Sequence, residues 1–315
     1  MQKLSLLLVL VVCGALANAQ VAKHSSHMVP TGKGWSAEQV NGPRAATPRA
    51  VTTGNGILYH GGPIMPGNVN VYFIWYGNWT NGTHASDRPG TVSLLNSLFA
   101  SSGGIGGSGY EKINSTYGDT TSNVSGNVAL KSSTTDAYSQ GTRLSDSGVQ
   151  KVVTNAISSG RLPKDTNGLY FVLTSSDVRE SSGFCTKYCG WHTSGTILGS
   201  DIKFSFVGNP DRCPAACEME TVSPNGNSGA DGMASIMAHE TEETISDPDL
   251  NAWYDASGAE NADKCAWKFG PTVGTIGNGA YNETFGSHNW LIQMNWENAR
   301  GGGCDQTLGG KFYTQ

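Results

Sequence analysis

Apolar residues along the chain form short continuous runs at some places and alternating patterns at others. The runs at residues 69–76 and 169–174 predict buried strands, because almost every position in them is apolar or aromatic. At residues 202–206, Ile, Phe and Phe alternate with polar residues, which predicts a half-exposed or edge strand. A further strand is predicted at residues 290–294. The chain therefore contains a substantial β-sheet.

Three other segments place apolar residues three and four positions apart, which predicts amphipathic helices. They cover residues 91–100, 149–157 and 231–246. The last helix ends before Pro248, since proline disfavours helical geometry at the residue preceding it. Strands alternate with helices and no linker divides the chain, so we predict a single domain of the α+β or α/β class with a mixed sheet.

The N-terminus has the features of a cleaved signal peptide. Lys3 precedes an apolar stretch at residues 4–16, and Ala17-Asn18-Ala19 follows it. The stretch is shorter than the roughly 20 residues that span a bilayer. We predict a signal peptide at residues 1–19, an extended arm at 20–56 and one secreted domain at 57–315, with no membrane span. The expected location is extracellular, in the apoplast or cell wall if the source organism has walls.

Composition and charge narrow the choice of partners. The chain has 42 Gly among 315 residues, and only 14% of its residues are charged, against about 25% in an average protein. Its formal net charge is −5, and Lys and Arg form no cluster. Nucleic acid is therefore excluded as a partner. The expected partner is an extracellular polypeptide or a cell-wall component.

Cysteines and sequons agree with passage through a secretory pathway. An even number of cysteines in a secreted chain predicts three disulfides that staple the C-terminal part, with their pairing left open. The two Cys-x3-Cys pairs leave a zinc knot as the alternative. The six cysteines are Cys185, Cys189, Cys213, Cys217, Cys265 and Cys304. Asn-x-Ser/Thr sequons predict a glycoprotein and occur at Asn78, Asn81, Asn114, Asn123 and Asn282.

The third predicted helix contains a His-Glu-x-x-Glu sequence that can bind zinc. His239 and Glu243 are four residues apart, so their side chains share one helix face. An imidazole and a carboxylate at this spacing can hold one Zn²⁺. The His-Glu-x-x-His helix of zinc hydrolases has the same geometry, with a second His where this chain has Glu243. Glu240 occupies the position of the general base in such helices, and we predict it as the catalytic residue. A solvent-exposed acidic face without a metal is the alternative.

A zinc site needs a third protein ligand. Glu260 follows Glu243 by 17 residues and is the predicted ligand, with Asp247 as the competing candidate. His192 is either a further ligand or a packed loop residue. In the alternative without catalysis, acidic oxygens would bind Ca²⁺ or no metal. That set comprises Asp247, Asp249, Asp255, Glu260 and Asp263.

Several blocks of the chain resemble the EXORDIUM-like, or phosphate-induced protein 1, family. The most specific are two cysteine blocks, Gly183-Phe-Cys-Thr-Lys-Tyr-Cys-Gly-Trp-His192 and Cys213-Pro-Ala-Ala-Cys217, in that order. The other matching blocks are residues 58–63, 69–77, 206–209 and 231–233. The resemblance spans residues 57–304. It implies a secreted protein of the cell wall or extracellular space, linked in plants to growth and nutrient responses.

The chain departs from the plant members of that family at the third helix. Plant members have an apolar stretch containing Asn and Thr where this chain has residues 239–243, whereas microbial members look similar to this chain. We therefore identify it as a microbial-type member. The order of a helix, a strand, an edge strand and a His-Glu helix also resembles the zincin layout. The function predicted on this basis is a zincin-like metallohydrolase acting on peptide bonds. The alternative is a non-catalytic extracellular growth or signalling protein.

Overall fold

The structure is a computed structural model that describes residues 47–48, 56–256 and 258–314. The predicted signal peptide and most of the predicted arm lie outside these residues. The helices are α1 (Pro89–Leu98), α2 (Asp146–Ser158), α3 (Pro214–Cys217) and α4 (Ser228–Ser246). Short 3₁₀ helices cover Glu111–Thr116, Pro210–Arg212 and Asp263–Cys265.

Strands are numbered β1 to β17 in chain order. They are Thr47–Pro48, Leu58–Tyr59, Gly67–Tyr76, Val124–Asp136, Arg143–Leu144, Gly168–Thr174, Arg179–Glu180, Gly190–Ile197, Ser200–Val207, Trp253–Tyr254, Gly274–Ile276, Gly279–Tyr281, Glu283–Phe285, His288–Trp290, Asn295–Glu297, Gly303–Asp305 and Tyr313–Thr314.

A five-stranded mixed sheet forms the centre of the domain, in the order β4-β3-β6-β9-β8. β4, β3, β6 and β9 run parallel, and β8 joins the edge antiparallel to β9. β3 and β6 are the two apolar runs of the sequence, and β6 is buried throughout. Parallel strands covered on both faces need such apolar sequences. The prediction of an α+β domain with a mixed sheet is confirmed.

The two largest helices cover opposite faces of the sheet, as the glycines of edge strand β8 show. A methyl group at Gly190 would lie 2.6 Å from Ile236 of α4, whereas one at Gly195 would lie 3.0 Å from Gln150 of α2. Positions 190 and 195 differ by an odd number, so they face opposite sides of the pleated strand. His192 shares its side with Gly190 and therefore faces α4.

Two strand predictions need correction. Residues 202–206 lie in β9, an interior strand, because β8 pairs along its outer edge. All five residues are buried, since the sheet is covered on both faces. At residues 290–294, only Trp290 belongs to a strand. Beyond it the backbone bonds to side chains, with Ile292 N–H donating to Asn282 Oδ1 and Gln293 N–H donating to Ser235 Oγ. These side chains replace the neighbouring strand that the sequence pattern suggested.

The cysteines form three disulfides, as predicted, and the zinc-knot alternative is wrong. Cys185 pairs with Cys213 and Cys189 with Cys217, each across 28 residues, and Cys265 pairs with Cys304 across 39. The first two bonds tie the segment before β8 to the α3 region. The third ties the 3₁₀ helix Asp263–Cys265 to β16. The C-terminal part of the chain is thus the stapled part.

Burial separates the five sequons into two groups. Asn114 and Asn282 are buried, and both side-chain amides donate hydrogen bonds to backbone carbonyls. A glycan on either amide would break those bonds, so the glycosylation predicted there conflicts with this fold. Asn81 and Asn123 are exposed and Asn78 is half-buried. The fold leaves these three sequons accessible.

Candidate metal centre

Helix α4 carries the His-Glu-x-x-Glu sequence through the middle of the domain. It begins at a capped N-terminus, where Ala230 N–H donates to the side chain of Asn227. Every residue from Gly229 to Ser246 is buried, because the sheet covers one side and the C-terminal segments cover the other. The alternative of a solvent-exposed acidic face is therefore wrong. His239, Glu240 and Glu243 are fully buried side chains.

His239 and Glu243 meet as their spacing predicts. The distance from His239 Nε2 to Glu243 Oε1 is 3.0 Å. Their orientation does not form a hydrogen bond, and Nε2 has no hydrogen-bond partner among the described residues. Buried polar atoms are normally paired, because leaving one without a partner costs about 1–3 kcal/mol. A nitrogen and an oxygen that lie this close without a hydrogen bond are typical of two side chains that bind the same metal ion.

Edge strand β8 brings a second histidine to the same place. His192 is fully buried, and its Nε2 lies 3.6 Å from Glu243 Oε2. Gly190, two residues earlier on the same face, has no side chain to obstruct α4; a methyl group there would lie 3.0 Å from Glu240 Oε1. The sequence left two interpretations of His192 open, and the structure places it in the cluster.

The segment after α4 returns two carboxylates to the cluster. Asp263 begins a 3₁₀ helix, and its N–H donates to Glu243 Oε1 at 3.0 Å. Asp263 Oδ1 lies 3.7 Å from His239 Nε2. Glu260 lies at the other histidine, with its Oε1 3.3 Å from His192 Nε2. Asn261 anchors the segment through hydrogen bonds to Glu242 O and Ser246 Oγ of α4.

This arrangement differs from the predicted ligand set in one respect. Glu260 was predicted to complete the site at His239 and Glu243, whereas Asp263 is the carboxylate that lies beside His239. Glu260 and Asp263 are three residues apart on a tight turn, with Glu260 N–H donating to Asp263 Oδ2. The turn therefore directs the two carboxylates to different histidines. Sequence distance from Glu243 alone contains no information about this turn.

The other predicted oxygen ligands are used elsewhere. Asp247 Oδ1 accepts hydrogen bonds from the N–H groups of Asn251 and Ala252, at 2.7 and 2.6 Å, and shapes the turn after α4. Asp255 pairs with Lys264, and Asp249 lies 3.8 Å from Lys203. The five carboxylates that the sequence suggested as calcium ligands therefore do not lie together. Only Glu260 and Asp263 of that set reach the cluster.

Burial dominates the electrostatics of the cluster. It raises the pKa of Glu240 and Glu243 well above the usual range, and the negative charges of Asp263 and Glu260 add to this effect. Burial likewise raises the pKa of Asp263 to about 7 and lowers the pKa of His239 to about 3. Among the described residues, neither oxygen of Glu240 has a hydrogen-bond partner. Imidazoles and closely spaced carboxyl groups are the ligands that a divalent cation requires.

Gln293 orients His239 from behind. Its Nε2 lies 2.7 Å from His239 Nδ1 and donates to Ala262 O at 3.2 Å. With a metal bound at His239 Nε2, Nδ1 would carry the ring hydrogen, and the Gln293 amide would turn to accept it through Oε1. A contact to the remote ring nitrogen fixes the imidazole so that Nε2 points into the cluster. The sequence contains no signal for this residue, because it lies outside any motif and 54 residues beyond His239.

A second buried carboxyl pair occupies another face of α4. Glu111, in the 3₁₀ helix Glu111–Thr116, lies against Glu242, and burial raises the pKa of Glu111 to about 8. Asn295 Nδ2 donates to Glu242 Oε2 at 2.6 Å. These carboxyls form a buried contact separate from the histidine cluster.

The fold and the site define a disulfide-bonded α+β domain with a buried cluster of histidines and carboxylates between an edge strand and its central helix. The model of the family described as phosphate-induced protein 1 conserved region matches residues 57–291. The chain belongs to this family, which is also named EXORDIUM-like after its plant members. The resemblance noted in the sequence is confirmed.

The curated relatives come from plants. Protein EXORDIUM-like 3 of Arabidopsis thaliana is 35% identical over 254 residues, which cover 71% of this chain and 72% of the relative. Protein EXORDIUM-like 5 of the same species is 32% identical over 275 residues, covering 76% and 75%. Protein PHOSPHATE-INDUCED 1 of Nicotiana tabacum is 28% identical over 217 residues, covering 63% and 67%.

No solved structure matches the chain significantly. The zincin resemblance of α4 therefore remains a prediction. The relatives' names specify neither a metal nor a reaction. Among the described residues, no helix has both the length and the apolarity needed to cross a membrane.

Proposed function

We propose that this chain is a non-catalytic extracellular protein whose fold is held by a zinc ion bound at His239, Glu243 and Asp263. Family membership and three disulfides support the extracellular role, in growth or signalling, with an extracellular polypeptide or cell-wall component as partner. The observation that carries the zinc proposal is the buried Nε2 of His239, which lies 3.0 Å from Glu243 Oε1 without a hydrogen bond.

The donor set favours zinc over calcium. Calcium takes six to eight oxygen ligands, whereas an imidazole with two carboxylates suits zinc. The ligand atoms of His239, Glu243 and Asp263 all lie within 4.8 Å of one another. Small shifts of these side chains would bring all three to the roughly 2 Å at which zinc binds.

Metal analysis tests this proposal directly. Purified full-length secreted protein, dialysed against trace zinc, should retain at least one zinc per chain, measured by elemental mass spectrometry. His239→Ala should lose that zinc, because two remaining protein ligands bind too weakly. His84→Ala is the matched control and should retain it, since His84 is exposed. Wild-type protein that binds no zinc, or that binds calcium in preference, would contradict the proposal.

A zinc hydrolase acting on peptide bonds is the second candidate, and the position of Glu240 favours it. Both carboxylate oxygens of Glu240 lack hydrogen bonds among the described residues, beside His192 and Glu243. In this candidate His239 and Glu243 would hold the zinc, which would activate water, and Glu240 would be the general base. Wild-type protein would then cleave a peptide library, and Glu240→Gln would stop cleavage while zinc stays bound at His239. Under our first proposal, neither protein cleaves any peptide.

A further inference from the structure

We propose that the cluster holds two divalent cations, with Glu243 bridging them and His192 as the imidazole ligand of the second. This inference rests on the proposed zinc centre and adds a second ion to it. The two oxygens of Glu243 face different histidines. Oε1 is 3.0 Å from His239 Nε2, and Oε2 is 3.6 Å from His192 Nε2. A carboxylate placed in this way between two imidazoles has the geometry of a bridging ligand.

Each histidine has its own set of donors. His239, Glu243 and Asp263 form one group of ligand atoms within 4.8 Å of one another, and His192, Glu240 and Glu243 form another. Glu243 is the residue that the two groups share. Glu260 joins the second group, since its Oε1 lies 3.3 Å from His192 Nε2. The first ion thus has one imidazole, one carboxylate of its own and a share of Glu243. The second has one imidazole, two carboxylates of its own (Glu240 and Glu260) and a share of Glu243.

The spacing of the donors suits zinc at both positions. Ligands at about 2.0–2.2 Å from a tetrahedral zinc are about 3.3–3.6 Å from each other. The distances from His192 Nε2 to its neighbours are 3.3 Å to Glu260 and 3.6 Å to Glu243. At the other position, His239 Nε2 lies 3.0 Å from Glu243 and 3.7 Å from Asp263. The distances at both positions therefore lie close to the ligand–ligand distance of a tetrahedral zinc site.

Charge balance also calls for a second ion. Four carboxyls converge on the cluster. Glu240, Glu243 and Glu260 are buried, and the side chain of Asp263 is 8% exposed. Ionised, they carry four negative charges, and burying uncompensated charge is strongly unfavourable. One dication neutralises half of that charge, whereas two neutralise all of it. In this arrangement Glu240 is a ligand rather than a base. This accounts for its two buried oxygens, which have no hydrogen-bond partner in the described part of the chain.

Zinc stoichiometry tests the second ion separately from the first. Equilibrium dialysis of the full chain should give two zinc ions per chain in the wild type. His192→Ala should give one, because it removes the imidazole ligand of the second position. Glu240→Gln should bind the second ion more weakly, because His192, Glu243 and Glu260 remain, and His239→Ala should also lower the count. Asp249→Asn, half-buried near the end of α4 but outside the cluster, is the control and should give two. Circular dichroism checks that each variant is folded.

Cobalt substitution tests the bridge without any variant. Two Co²⁺ ions joined by Glu243 should show spin coupling in electron paramagnetic resonance when the protein is fully loaded, and none at half loading of the tighter position. Two ions without coupling would overturn the bridge. One ion in the wild type, with His192→Ala and Glu240→Gln unchanged, would overturn the second position and leave the proposed zinc centre intact. No ion at all would overturn both proposals.

Discussion

Glu243→Gln is expected to have opposite effects on stability in the presence and absence of zinc. A ligand that binds only the folded state at about 1,000 times its dissociation constant adds about 4 kcal/mol to the free energy of unfolding. Replacing the carboxylate next to His239 should remove most of that contribution. In a chelator, the same change relieves a buried carboxyl whose pKa is raised by burial and by the charges of Asp263 and Glu260. There, the variant should be about 1 kcal/mol more stable than the wild type.

Urea denaturation at fixed pH, with excess zinc and with chelator, measures both effects. Glu111→Gln is the matched control, because Glu111 is also a fully buried carboxyl near α4 but lies outside the histidine cluster. Its effect on stability should be the same in both conditions. If Glu243→Gln also changes stability equally with zinc and with chelator, protons rather than a metal neutralise the cluster.

Breaking the Cys265–Cys304 disulfide is expected to cost about 4 kcal/mol and to weaken zinc binding. The bond closes a separation of 39 residues, for which the chain-entropy estimate is about 4 kcal/mol. It also anchors the 3₁₀ helix that carries Asp263, two residues before Cys265. Freeing this helix should let Asp263 move away from His239. Cys265→Ala/Cys304→Ala should therefore bind zinc more weakly than the wild type, in addition to being less stable.

Cys185→Ala/Cys213→Ala provides the comparison. Cys189–Cys217 lies alongside and closes the same stretch of chain, so removing the other bond frees only a short additional loop. The expected cost is about 2.5 kcal/mol, with no change in zinc affinity. Denaturation curves and zinc titrations of both double variants measure the difference. Equal zinc affinity in the two would show that the Cys265–Cys304 bond does not position Asp263.

Much of the fold was predictable, because the spacing of apolar residues along the chain reflects the geometry of a strand or helix and the side that it buries. The apolar run at β3 predicts a strand buried on both faces, and the stripe at residues 149–157 predicts α2. The spacing of His239 and Glu243 places both on one face of a helix in any fold. The sequence did not predict correctly how far such elements are exposed to solvent. The alternation in β9 suggests an exposed side, but the layers on the two faces of the sheet bury residues 202–206.

The sequence by itself determined the disulfide-bonded class of the domain, the helix that carries His239, Glu240 and Glu243, and the family. These depend on residue types at short separations, where the geometry of a helix or strand is fixed. The tertiary structure alone decided that His192 joins the cluster and that Asp263 rather than Glu260 lies beside His239. Those contacts join an edge strand, a helix and a 3₁₀ turn, and their geometry depends on how the elements pack, which spacing along the chain does not encode.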